Sequence, residues 1–223
     1  MKGKQIALLI ILVLLADQVL KIYIKTHFYY QEEHRVLGNW FKLHFIENEG
    51  MAWGGKIPGG FGKIILTLFR LVAVIVGTFY LRNIIRKKYH KGFIVCAALI
   101  YAGALGNLLD SMFYGLIFSN SDPYMQNVAK LFPAGGGYTS FLHGKVVDML
   151  YFPIIDSHFP SWLPVWGGQD FEFFSPVFNL ADASISTGVI AILIWQKKFF
   201  PHKEKLIADT PARQDGIAAE EAS

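Results

Sequence analysis

Four long apolar runs divide this chain and leave few folds open to it. They cover residues 6–24, 61–81, 93–113 and 177–200. A helix needs about 20 apolar residues to cross the hydrocarbon core of a bilayer, and each run is long enough or nearly so. The sequence therefore predicts an α-helical membrane protein with four transmembrane helices.

The composition agrees with this interpretation. Of the 223 residues, 53% are hydrophobic and 17% are charged, whereas soluble domains carry about 25% charged residues. This balance excludes a disordered chain and a domain that binds nucleic acid through basic patches, so we expect no nucleic-acid partner.

Basic residues predict how the four helices are oriented. Lysines lie close to the amino terminus, residues 82–91 are densely basic, and four more lysines follow residue 196. Positive charge gathers on the cytoplasmic side of a membrane, and all three segments lie there if the chain crosses four times with both termini inside. Residues 1–207 would then form one domain with outer loops at 25–60 and 119–176, followed by a polar cytoplasmic tail at 208–223.

The two outer loops carry different signals. Residues 41–45 alternate between apolar and polar side chains, which predicts a strand, and residues 48–55 are rich in turn formers. The second loop contains an aromatic cluster between residues 162 and 174. Because aromatic side chains concentrate at the level of the lipid headgroups, we expect this loop to rest on membrane lipid.

Carboxylates and amides lie in or beside the apolar runs, where placing a polar group in hydrocarbon costs free energy. A carboxylate at the centre of a membrane helix costs about 2.5–3.5 kcal/mol, so such groups face the protein interior or a wet cavity. Asp17 and Lys21 are four residues apart and are expected to pair on one helix face. Because one end of every helix lies at the outer face, we expect convergence there of Asp17, Asn48, Asn107, Asp110, Asp148, Asn179 and Asp182.

Asp148 and Asp182 form the pair with the clearest chemistry. Two carboxyl groups that share a site do not both ionise easily, so one keeps a proton. The ionised group can take a proton from water while the protonated group polarises a carbonyl and assists departure of an amine. This hydrolysis requires no metal and no cofactor, and the sequence contains neither G-x-S-x-G nor H-E-x-x-H.

A proton-coupled transporter or a membrane scaffold is the alternative, since transporters also bury carboxylates. Transporters often contain repeated halves with binding sites at the midplane. This sequence has no internal repeat, and its carboxylates gather towards one side. Hydrolysis is therefore the preferred hypothesis, and cleavage of a peptide bond by the purified protein distinguishes the two.

Five ordered blocks resemble the bacterial lipoprotein signal peptidases (signal peptidase II). They are DQVLK at 17–21, ENEGMAW at 47–53, GALGNLLD at 103–110, GKVVD at 144–148 and FNLADASI at 178–185. The resemblance implies a four-helix aspartyl endopeptidase of the bacterial cytoplasmic (inner) membrane, with a small extracytoplasmic β-cradle and an interfacial helix or loop. It implies cleavage of diacylglyceryl-modified prolipoproteins just before the lipidated cysteine, near the outer face, and inhibition by the cyclic lipopeptide globomycin.

The same resemblance implies roles for individual residues. Asp148 and Asp182 match the catalytic dyad. Binding or support of the substrate and the dyad is implied for Asp17, Lys21, Asn48, Gly50, Ala52, Asn107, Asp110 and Asn179. Ser111 stands where many members carry arginine, which weakens the expectation of a charge-assisted contact at Asp110.

Overall fold

The computed structural model describes most of the chain. It covers residues 3–49, 61–122, 124–153, 155–158, 160, 162, 164, 168, 170–173 and 176–200. Four helices lie within this part: α1 (Gly3–His27), α2 (Phe61–Arg86), α3 (Lys91–Ile117) and α4 (Leu180–Phe199).

Three of the helices are long and apolar enough to cross a membrane. They are α1, the Gly62–Arg86 part of α2, and α3. The fourth predicted span, α4, is not among them, and its ends carry Asp182, Lys197 and Lys198. The predicted count of four transmembrane helices therefore holds for three helices by length and composition.

A small antiparallel sheet lies at one end of the helices. Its order is β1 (Glu33–Leu37), β2 (Phe41–Asn48), β3 (Val146–Tyr151) and β6 (Val177–Phe178), while β4 (Ile155–His158) and β5 (Asp170–Phe173) form a separate pair. All these strands belong to the α1–α2 and α3–α4 connections, whereas α2 and α3 are joined by residues 87–90 alone. The strand predicted at 41–45 is confirmed, and it continues to residue 48.

Several predicted boundaries are wrong by a few residues. Helix α1 continues beyond residue 24, so Lys25 belongs to a helix rather than to the predicted loop, and α2 includes the first half of the basic segment 82–91. The fourth run does not begin as a helix, because Val177–Phe178 pairs with β3 and Asn179 caps α4. The described part of the chain has no short interfacial helix besides these four helices.

Helix α3 lies at the centre of the bundle and packs against the other three helices. One apolar cluster joins the helices near residues 81–94 and includes Ile6, Ile84 and Phe93. A second cluster joins helix residues to the sheet and includes Ile24, Tyr114, Val147 and Met149. The second cluster fixes β3, and therefore Asp148, against the helix ends.

The contact between α3 and α4 depends on glycine. A Cβ atom at Gly103 would lie 2.2 Å from the backbone oxygen of Ala181, and one at Gly188 would lie 2.7 Å from that of Cys96. Small residues of this kind let membrane helices approach closely. The absence of these side chains therefore sets the position of the first turn of α4.

We expect Gly103→Ala to destabilise the protein by roughly 1–3 kcal/mol, because backbone atoms must move to admit the methyl group. The melting temperature of the purified protein in detergent measures this loss. Gly135→Ala is the matched control, since a Cβ atom there meets nothing within 4 Å. Equal melting temperatures for the two variants would contradict the tight α3–α4 contact.

Candidate active site

Asp148 lies in the middle of β3, between β2 and β6, and is only 3% exposed. Its Oδ2 atom accepts a hydrogen bond from Asn48 Nδ2 (3.1 Å), and its Oδ1 atom accepts one from Asn179 Nδ2 (2.7 Å). Burial raises the pKa of Asp148 to about 7, and the negative charge of Asp182 acts in the same direction. The two amides oppose this shift without cancelling it, so the carboxyl group is poised between its two forms near neutral pH.

Asp182 lies in the first turn of α4, where the helix dipole favours a negative charge. Its backbone N–H donates to Asn179 Oδ1 (2.9 Å), and its own Oδ1 accepts from Asn107 Nδ2 (2.7 Å). Asn179 therefore contacts both aspartates: its oxygen fixes the backbone of Asp182, and its amide nitrogen binds Asp148. One cap residue thus joins the strand and the helix that carry the two carboxyl groups.

Lys21 occupies the centre of a buried polar network beneath the two aspartates. Its Nζ atom lies 2.9 Å from Asp17 Oδ2, 2.7 Å from Asp110 Oδ2 and 2.9 Å from Asn107 Oδ1. The predicted Asp17–Lys21 pair is confirmed, with both side chains at most 1% exposed. Asp17 Oδ1 also accepts from the backbone N–H of Ala181 (2.9 Å), which ties α1 to the start of α4.

Asp110 has charged and polar partners even though serine follows it. Asp110 forms an ion pair with Lys21 and also accepts a hydrogen bond from Gln18 Nε2 (2.8 Å). The doubt raised by Ser111 is therefore resolved, because α1 supplies the charge-assisted contact. Ser111 itself accepts a hydrogen bond from Arg70 Nη1 (2.9 Å), so a guanidinium reaches this turn from α2.

The structure brings together eight of the ten residues singled out from the sequence. They are Asp17, Lys21, Asn48, Asn107, Asp110, Asp148, Asn179 and Asp182. The other two, Gly50 and Ala52, lie outside the described residues. The hydrogen bonds link side chains from α1, α3, α4, β2 and β3.

Sequence reasoning did not assign roles to Gln18, Arg70 or Glu47. Gln18 donates to Asp110 and accepts from the hydroxyl of Tyr114 (3.1 Å). Arg70 could have been found, because a cation inside an apolar run is as unusual as a carboxylate there. Glu47 precedes Asn48 in a strand whose burial follows from the tertiary contacts, so no local signal marks it.

Glu47 forms a second buried ionic cluster beside the first. It pairs with Lys25, and its Oε2 atom lies 3.1 Å from Lys145 Nζ. Burial disfavours the charged form of Glu47, but Lys25 and Lys145 together hold the pKa of its carboxyl group below the usual value. Lys25 also donates to Ser121 Oγ (3.1 Å), so this cluster joins α1 to both the α1–α2 and the α3–α4 connections, next to Asn48.

Comparison with known proteins identifies the family. A family model described as Signal peptidase (SPase) II matches residues 9–198. A lipoprotein signal peptidase of Porphyromonas gingivalis is 47% identical over 93% of this chain and 88% of its own length. The corresponding protein of Amoebophilus asiaticus is 35% identical over 82% of this chain and 74% of its own length.

Solved structures agree at the level of the fold. One bacterial membrane enzyme covers 89% of this chain and 96% of its own length, with a TM-score of 0.53 and 24% identity. A second covers 97% of this chain and 96% of its own length, with a TM-score of 0.52 and 22% identity. With its apolar helices, the chain is a multi-pass bacterial membrane protein, and over nearly its whole length it belongs to the signal peptidase II family.

Proposed function

We propose that this protein is an aspartyl endopeptidase that removes the signal peptide from diacylglyceryl-modified prolipoproteins, cleaving just before the lipidated cysteine. Membership of the signal peptidase II family supports removal of signal peptides from prolipoproteins. The observation that carries the aspartyl mechanism is that Asn179 forms hydrogen bonds with both Asp148 and Asp182. Paired carboxyl groups in a buried polar network suit hydrolysis by activated water.

One carboxyl group acts as the general base and the other as the general acid. The ionised carboxylate takes a proton from water as the water oxygen bonds to the carbonyl carbon, and the protonated carboxyl group donates to the carbonyl oxygen. When the tetrahedral intermediate collapses, the acid recovers its proton and the base passes its own to the leaving nitrogen. Both aspartates return to their starting forms, and the amide has been hydrolysed.

The outer face of the cytoplasmic membrane is the proposed location of this chemistry. Helix α4 has 20 residues, which gives a length of about 30 Å and matches the hydrocarbon core of a bilayer. Its outward side chains Ile190, Leu193 and Ile194 are more than half exposed, as expected for a lipid-facing surface. We therefore include α4 as the fourth span, with both termini cytoplasmic and the sheet outside.

This arrangement suits a substrate that is itself anchored by lipid. A diacylglyceryl group holds the scissile bond near the end of the helices and confines the substrate to two dimensions, which favours its alignment with the dyad. Asn48, at the end of β2, contacts Asp148, so the extended peptide is proposed to lie along this strand and the Gly50 and Ala52 segment. Globomycin is proposed to occupy the same place.

A cleavage assay tests the proposed function. The purified protein is incubated with a diacylglyceryl-modified precursor and, as the control, with the same precursor carrying an unmodified cysteine. We expect a released signal peptide, a product that begins at the lipidated cysteine, and loss of both when globomycin is added. Cleavage of neither precursor would contradict the proposed peptidase activity, and equal cleavage of both would contradict the proposed recognition of lipid.

A further inference from the structure

Arg70 is a cation in a segment that otherwise suits lipid. It is the tenth residue of α2, within a helix long and apolar enough to cross a membrane. An arginine in such a place faces the protein interior or a wet cavity because exposure to hydrocarbon is costly. Its position therefore requires partners within the bundle.

The partners of Arg70 belong to the active-site network. Its Nη1 atom donates to Ser111 Oγ (2.9 Å), and that hydroxyl donates to the backbone oxygen of Asn107 (3.0 Å). Asn107 is the residue whose amide binds Asp182. The guanidinium is thus fixed to the turn of α3 that contacts one member of the dyad.

The charge of Arg70 acts unequally on the nearby carboxylates. Its strongest interaction is with Asp182, followed by those with Asp110 and Asp148. Asp110 already forms an ion pair with Lys21 at 2.7 Å, and Asp148 is enclosed by the uncharged amides of Asn48 and Asn179. The charged groups around this region are Asp17 and Lys21 of α1, Lys63 of α2, Asp110 of α3 and Asp148 of β3.

We propose that Arg70 is a positioning residue that makes the two aspartates unequal, keeping Asp182 ionised as the base and leaving the shared proton on Asp148. This inference rests on the proposed function, since it assigns the two roles within the dyad. The deeper burial of Asp148 supports the same assignment, because Asp148 is 3% exposed whereas Asp182 is half-buried. Burial favours the protonated form of a carboxyl group, whereas a positive charge in the same network favours the ionised form.

The test is the pH dependence of kcat/KM for the lipidated precursor. The acidic limb of this profile reports ionisation of the base in the free enzyme. In Arg70→Gln we expect the limb to move to higher pH by about 1 unit or more, with kcat lowered by about 10- to 100-fold. Arg70→Lys keeps a positive charge and is expected to move the limb less.

Arg82→Gln is the matched control, because it removes a cation from the exposed far end of the same helix. The Arg82→Gln variant should leave the acidic limb of the kcat/KM profile at the same pH as in the wild type. Ser111→Ala keeps the charge of Arg70 and removes only its anchor, so it provides a second measurement if Arg70→Gln does not fold. We expect a smaller shift in the same direction.

The outcomes separate this inference from the proposed function. A wild-type protein that cleaves the precursor, together with an unchanged acidic limb in Arg70→Gln or in Ser111→Ala, would overturn the role of Arg70 alone. A change confined to KM would overturn it as well, because it would assign Arg70 to substrate binding. A wild-type protein that does not cleave would instead overturn the proposed function.

Discussion

Asp148→Asn is expected to lower cleavage of the lipidated precursor by at least about 1000-fold, because in the proposed mechanism the Asp148 carboxyl group donates the proton that polarises the scissile carbonyl. Asp182→Asn is expected to have a similar effect. The double variant should be no slower than either single variant, since the two groups act as a unit. Single-turnover cleavage of the purified variants measures all three.

The loss of activity should come without a loss of stability. The pKa of Asp148 is raised to about 7 in the native protein, whereas an unfolded aspartate has a pKa of about 3.9. Between these values the native state binds the proton and the unfolded state does not, so the free energy of unfolding falls as pH rises from about 4 to about 7. Above that range the buried negative charge of Asp148 destabilises the native state, whereas a neutral asparagine at this position carries no such charge.

We therefore expect the melting temperature of the wild type to fall between pH 5 and pH 8 more steeply than that of Asp148→Asn. Asp122→Asn is the matched control, because Asp122 caps a turn in the α3–α4 connection, where it accepts from the backbone N–H of Tyr124 (2.7 Å). This variant should keep wild-type cleavage and a wild-type pH dependence of melting. An Asp148→Asn protein that cleaves like the wild type would refute the catalytic assignment.

Features encoded by local spacing could be predicted from the sequence. The apolar runs give the helices, and the four-residue spacing of Asp17 and Lys21 gives their ion pair. Asn107 and Asp110 both contact Lys21, as expected for residues three apart on one helix face. These predictions succeeded because helical periodicity fixes which side chains share a face before any tertiary contact forms.

Features that depend on how distant elements meet could not be predicted in the same way. Val177 and Phe178 extend an apolar run and resemble a helix start, and only their pairing with Tyr151 and Leu150 makes them a strand. The β2–β3 register shifts between Leu43 and Ile46, and no local pattern indicates such an irregularity. The Arg70–Ser111 contact likewise depends on how α2 is rotated against α3.

Lys21→Met should be the most destabilising single substitution in the polar network. The ammonium group of Lys21 is a counter-charge for both Asp17 and Asp110, and all three side chains are at most 1% exposed. Removing one partner of a buried ion pair costs about 3–5 kcal/mol, because the remaining charge is left uncompensated. Methionine keeps an unbranched side chain of similar length, so lost packing contributes little. The melting temperature in detergent reports the loss.

Lys42→Met is the matched control for charge removal. Lys42 lies 2.9 Å from Glu33, and the two side chains are 12% and 34% exposed, so water reaches this pair and its contribution is closer to the roughly 0–1 kcal/mol of surface pairs, at about 1 kcal/mol. The control should therefore melt close to the wild type. A Lys21→Met protein that melts at the same temperature as Lys42→Met would contradict the role assigned to the buried network.

A compensating variant separates uncompensated charge from lost packing. If the loss in Lys21→Met comes from two unpaired carboxylates, the triple variant Lys21→Met, Asp17→Asn, Asp110→Asn should recover much of the melting temperature, because no buried charge remains. Its cleavage activity should stay low. Lys21 also donates to Asn107, whose amide binds Asp182, and a neutral cluster does not restore that contact. Recovery of stability without recovery of activity would assign Lys21 both a structural role and a role in holding the dyad.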